Sequence, residues 1–163
     1  MPSAMMRLRD VSDETNRLAR MVMDASLEVH RALGPGLREA DYQDCLVFEL
    51  EERGLSVSKE TRLPLRYKDR ILLRGSRVDL VVEERLPVEL KAVESLHPKH
   101  FLQARSYVKF GGHDLGVLVN FNEARLVDGW HRVLPGRPSV HVARVAPAAS
   151  SHAEPAGPRP NDL

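Results

Sequence analysis

At 163 residues the chain is long enough for one domain with a hydrophobic core. It is 42% apolar and 29% charged with a formal net charge of +1, so bulk charge favours no nucleic acid and any such partner needs a local basic patch. A single cysteine, Cys45, excludes an internal disulfide and any four-cysteine metal or iron–sulfur site, and no apolar run matches a signal peptide or a membrane span, which points to a cytoplasmic protein.

Residues 1–12 read as a flexible leader. Ser12 suits a helix N-cap, with Asp13 and Glu14 in the first turn, where acids complement the helix dipole. Leu18, Met21, Val22, Ala25, Val29, Ala32 and Leu33 recur at helical spacing and predict a helix over 13–33. Gly34-Pro35-Gly36 ends it. A second helix is expected from about Arg38 to Arg53, closed by Gly54.

Strand signals follow. Leu63, Leu65 and Tyr67 alternate with polar residues, Lys68-Asp69-Arg70 makes a turn, and Ile71-Leu72-Leu73 returns. "RVDLVVEE" (77–84) and "LPVELKAV" (86–93) predict a hairpin around Glu84-Arg85, and Pro98 opens a third helix reaching Phe110. "GVLVNF" (116–121) reads as a buried strand, with a last short strand near Trp130 to Leu134. From Pro135 the chain turns rich in Pro, Ala, Ser and Gly, so 135–163 is expected to be a mostly disordered tail in which "SVHVARV" (139–145) can pair on a sheet edge. This order predicts an α/β domain over 13–134 with a mixed central sheet flanked by helices.

The apolar strand at 86–93 carries Glu89 and Lys91 on one face, and Asp79 lies on the matching face of the strand before it. Two carboxylates beside an ammonium suit a hard divalent cation such as Mg²⁺ or Mn²⁺, with lysine acting on a water or a phosphate. The alternative is a cross-strand salt bridge on a solvated face. On the second helix Glu39, Tyr42, Leu46, Glu49, Leu50 and Arg53 share a stripe, so two glutamates lie on its apolar face. Glu39 can instead serve the helix dipole, and Glu49 can pair with Arg53.

"GLREADY" (36–42), with Gly36, Glu39 and Tyr42, fits the pattern that names the GxxExxY proteins; "EVHRALGPGL", "CLVFELEERGL" and "GVLVNFN" also resemble that family. Through it the chain resembles the PD-(D/E)XK nucleases of RecB-like type, on Gly75-x-x-x-Asp79, Glu89-x-Lys91 and Gln103-x-x-x-Tyr107. Val78 replaces the proline of the superfamily's name, and the cysteine cluster of iron–sulfur relatives is absent.

The resemblance implies a restriction-endonuclease-like core and a Mg²⁺- or Mn²⁺-dependent DNA nuclease without an iron–sulfur cluster. Asp79, Glu89 and the Leu90 carbonyl would bind the metal, Glu39 would complete the acidic set, and Lys91 would act on the water or the scissile phosphate. Gln103 and Tyr107, one helical turn apart, would position DNA or brace the site. His30 is a further candidate ligand, because some RecB-like nucleases use a helical histidine; its alternative is capping or packing. His97, His100 and His113 are expected at the surface, Cys45 and Trp130 in the core.

Seven basic residues between Lys59 and Arg77 stand against Glu60 and Asp69. Of these, Arg62, Arg66, Lys68, Arg70, Arg74 and Arg77 are the candidate DNA contacts. Charge on a hairpin also keeps a sheet edge soluble. A binding module on the same fold without turnover is the competing function, against which the intact Asp79, Glu89 and Lys91 argue. No membrane role is expected, and a homo-oligomer or protein partner is left open.

Overall fold

The computed structural model describes residues 11–72 and 76–136. α1 spans Asp13–Leu33, and the Ser12 hydroxyl accepts the N–H of Thr15 at its start. α2 spans Glu39–Glu52 and α3 spans Pro98–Phe110. The strands are β1 (Val57–Arg62), β2 (Leu65–Tyr67), β3 (Arg70–Leu72), β4 (Arg77–Val82), β5 (Leu86–Lys91), β6 (Gly116–Asn120) and β7 (Trp130–Val133).

Five strands form one sheet in the order β1-β4-β5-β6-β7. β5 and β6 are parallel and the other neighbours antiparallel, so the sheet is mixed. β2 and β3 form a separate hairpin. The fold is α/β with a restriction-endonuclease-like core.

Alternation splits the sheet into two faces. Leu80, Val82, Leu86, Val88, Leu90, Val117 and Val119 pack with the apolar stripes of α1 and α2. α3, the crossover between the parallel strands, covers the other face, where Ala104 and Val108 meet Leu118 and Val133. Glu89 therefore points toward α3 while its neighbours Val88 and Leu90 fill the α1/α2 core.

Several sequence expectations shift. The segment 57–62, not foreseen as a strand, is β1 and pairs along β4 from Val57↔Val82 to Arg62↔Arg77. The β4–β5 loop is Glu83-Glu84-Arg85, with Glu83 and Glu84 both at φ 52°. The 139–145 segment, the rest of the tail past Gly136, and residues 1–10 lie outside the described residues. Among the described residues no helix is long and apolar enough to cross a membrane.

Candidate active site

The register of β4 and β5 runs through Val82↔Leu86 to Leu80↔Val88. One residue further, side chains take over the pairing. Asp79 Oδ2 accepts the Leu90 N–H at 2.8 Å, and the Asp79 N–H approaches Glu89 Oε2 at 3.4 Å. Lys91 Nζ donates to Glu89 Oε1 at 3.0 Å. Asp79, Glu89 and Lys91 thus form one connected cluster at the end of the hairpin.

Burial sets its electrostatics. Glu89 is only 4% exposed. Its pKa is pushed up to about 7, first by burial and then by the Asp79 charge, against the pull of Lys91. Asp79 is also raised, by burial, although the Leu90 N–H and Lys91 oppose this. Burial pulls the Lys91 ammonium down, but Glu89, Glu39 and Asp79 together outweigh it and hold its pKa above the ordinary value. The two partners of the ion pair lean opposite ways: Lys91 favours the charged pair, while desolvation and Asp79 disfavour a second carboxylate charge. Desolvation decides, because two adjoining half-buried or buried acids cannot both ionise cheaply. Without a cation, the pair of acids tends to keep one proton.

Glu39 opens α2 and enters the same field. Its pKa is raised by burial and by Asp79 and lowered by Lys91. The local sequence explains its placement. Gly36 sits at φ 107°, a backbone that a side chain rarely adopts. Tyr42, fully buried, donates its hydroxyl to the Gly34 carbonyl at 2.5 Å and accepts the Leu37 N–H at 3.2 Å. Its ring stacks on Phe121 with centroids 4.7 Å apart. Gly36, Glu39 and Tyr42 thus work together: the glycine makes the turn, the tyrosine pins it to the core, and the glutamate starts the helix beside Lys91.

From α3, Gln103 Nε2 donates to Tyr107 Oη at 2.7 Å. Tyr107 is buried, and burial together with Glu89 and Asp79 pushes its pKa up to about 12, so it stays a neutral hydroxyl. His100 lies on the same stripe, three residues before Gln103, and burial, Lys91 and neighbouring cations lower its pKa. His97 is exposed near the helix end, as the sequence suggests, whereas His100, expected at the surface, is half-buried. Each caps α3: His97 Nδ1 accepts the Lys99 N–H, and His100 Nδ1 accepts the His97 N–H.

A second residue was missed. Asn120, fully buried opposite Lys91 in the register, donates to the Val93 carbonyl at 2.9 Å and accepts the Val93 and Asn122 N–H groups. It clasps the chain leaving β5 to the chain leaving β6. An amide in the apolar run "GVLVNF" was the available signal, because a buried amide demands partners.

The remaining candidates lie elsewhere. His30 Nε2 is 2.8 Å from the Glu123 carbonyl oxygen, so this ring nitrogen joins α1 to the loop after β6. Glu49 pairs with Arg53. Arg62, Lys68, Arg70 and Arg77 are exposed; Arg77 shares an ion pair with Glu60 at 3.5 Å. Arg66 lies on β2 opposite Ile71, and Arg74 falls outside the described residues.

The donors suit a hard cation. Asp79 and Glu89 offer adjoining carboxylate oxygens; burial raises both pKa values and the Asp79 charge raises that of Glu89 further, a cost that a cation would relieve. Among the described residues no group of three or more His, Cys, Asp and Glu side chains could by itself hold a metal ion. An ion such as Mg²⁺ keeps several waters and is bound through one or two carboxylates plus substrate phosphate.

A half-buried acid on β4 beside a Glu-x-Lys pair on β5 of a mixed sheet is the arrangement that the resemblance to the PD-(D/E)XK nucleases implies. The family model of the PD-(D/E)XK nuclease superfamily matches residues 16–133, and the chain belongs to that superfamily. Neither the curated proteins nor the solved structures give a significant match.

Proposed function

We propose that the chain is a divalent-metal-dependent deoxyribonuclease that hydrolyses phosphodiester bonds. The observation that carries this is the hydrogen-bonded cluster of Asp79, Glu89, Leu90 and Lys91, with its strained acid pair. Asp79, Glu89 and the Leu90 carbonyl would hold Mg²⁺ or Mn²⁺, with Glu39 completing the set; His30, bonded to the Glu123 carbonyl, lies apart from it. When bound, the ion supplies a polarised phosphate and an activated water.

The residues' own parts follow from their charge states. Lys91 is held protonated, which disfavours it as a base and suits it to stabilise charge building on the phosphate. Tyr107 remains a neutral hydroxyl whose oxygen accepts from Gln103, so its own proton is free to orient an oxygen of the substrate. Asn120, opposite Lys91 in the register, holds the backbone at Val93, two residues beyond it.

The test is cleavage of linear, circular and single-stranded DNA, and of RNA, with Mn²⁺, Mg²⁺ or EDTA. DNA cleavage that requires the metal and is lost in Lys91→Ala is expected. No cleavage of any substrate, with the protein folded and metal present, would remove the nuclease assignment.

A further inference from the structure

Between β1 and β4 the chain leaves the main sheet as the β2–β3 hairpin. Apolar side chains lie exposed on it beside the charged ones. Tyr67 is 62% exposed, Ile71 50% and Leu72 46%. In the register Leu65 faces Leu72 and Tyr67 faces Arg70, so Tyr67, Arg70 and Leu72 share one face. Lys68 holds its ammonium 5.4 Å from the Tyr67 ring centroid. So short a hairpin gains no stability from apolar groups left in water, and an apolar patch kept exposed marks a surface of interaction.

Position selects the partner. The hairpin is rooted where Thr61 pairs with Val78 and Arg62 with Arg77, immediately before Asp79. At its base Leu63 packs against Val78, Val81 and Tyr107. It therefore projects from the active-site end of the sheet, and a polynucleotide seated at Asp79, Glu89 and Lys91 can run along its own backbone onto the hairpin. Exposed Arg62, Lys68, Arg70 and Arg77 complement phosphates there.

Duplex and single strand differ in what they offer such a surface. A duplex stacks its bases on one another and shows a protein only phosphates and groove edges, from which an aromatic ring gains little. An unpaired strand exposes base faces, and those stack on aromatic side chains with backbone phosphates on neighbouring cations. We propose that the β2–β3 hairpin is a stacking platform for single-stranded DNA, with an unpaired base on Tyr67 and flanking phosphates on Lys68 and Arg70. The substrate class of the site is then single-stranded DNA or the single-stranded end of a duplex. This deepens the nuclease assignment and rests on it for the position of the strand.

Binding is measured on the full chain in EDTA, by fluorescence anisotropy of a labelled single-stranded oligodeoxynucleotide and its duplex. The parent is expected to prefer the single strand. Tyr67→Ala should weaken single-strand binding by about ten-fold, the loss of one stacked base, and leave duplex binding unchanged. Tyr67→Phe should bind as the parent does. A parent with no preference for the single strand, or a Tyr67→Ala variant that binds it as the parent does, overturns the platform. So does a sedimentation experiment in which Tyr67→Ala dissociates a dimer while oligonucleotide binding stays unchanged, because the patch then covers a second copy. Cleavage with Mn²⁺ is scored separately: its absence removes the nuclease assignment and leaves the binding result standing.

Discussion

Asp79 Oδ2 accepts the Leu90 N–H at 2.8 Å, just where the backbone register between β4 and β5 ends. A carboxylate takes the place of a ladder carbonyl, so this acid joins the two strands as well as facing Glu89. The two roles separate by substitution. Asp79→Asn and Asp79→Ala both delete the charge, but only asparagine keeps an acceptor for the Leu90 N–H. Asp79→Ala should be less stable than Asp79→Asn by about 1–3 kcal/mol, the cost of a buried donor left unpaired. Urea denaturation of the two variants measures the difference; equal stabilities would show that the bond contributes nothing.

Metal-free stability should fall as pH rises across the titration of Glu89. Its folded pKa of about 7 lies above the ordinary 4.5, so the folded state holds the proton more tightly than the unfolded one. The stability from this difference is fully present below about pH 4.5 and lost as pH rises through about 7, a swing of about 3 kcal/mol. The raised pKa of Asp79 acts in the same direction. Glu89→Gln should therefore gain on the parent with rising pH in EDTA. Parallel stability curves for parent and variant would contradict the shift.

Tyr42→Phe keeps the ring stack on Phe121 and deletes the hydroxyl that binds Gly34 and Leu37. The expected loss is about 1 kcal/mol of stability. Metal-dependent cleavage should fall more than that loss explains, because the turn sets the position of Glu39. Cleavage measured well below the melting temperature tests this, and unchanged activity would free the motif of any part in the site.

Glu84 is exposed and lies at φ 52° beside Glu83, also at φ 52°. A left-handed backbone suits glycine, so Glu84→Gly should stabilise the protein by about 1 kcal/mol. A lower melting temperature would show that the glutamate has a role of its own in the turn.

Much of this arrangement is written in local pattern. The periodic apolar residues of α1, the Ser12 cap, and the Pro98 and Gly111 bounds of α3 mark helices whose local preference and packing agree. Strand alternation placed Asp79 and Glu89 on one face, and the β4–β5 hairpin brought them together. β1 was illegible because its six residues include Lys59, Glu60 and Arg62, and only Val57 and Thr61 are half-buried. An edge strand has one neighbour and a wet face, so its apolar signal is weak. The Asn120 clasp and the approach of His100 to Lys91 depend on partners 27 and 9 residues away in the chain, which no periodicity encodes.

The melting temperature of the parent, Asp79→Asn and Glu89→Gln, each with and without Mn²⁺, tests the cation site most directly. Ligand held by the folded state alone stabilises it by about 2.7 kcal/mol at a hundred times Kd. The parent should melt several degrees higher with Mn²⁺. Both variants, relieved of the repulsion between the acids, should melt at or above the metal-free parent and gain nothing from Mn²⁺. A parent indifferent to Mn²⁺, with both variants melting lower because each strands a charged partner, would make Asp79, Glu89 and Lys91 a structural salt-bridge network instead.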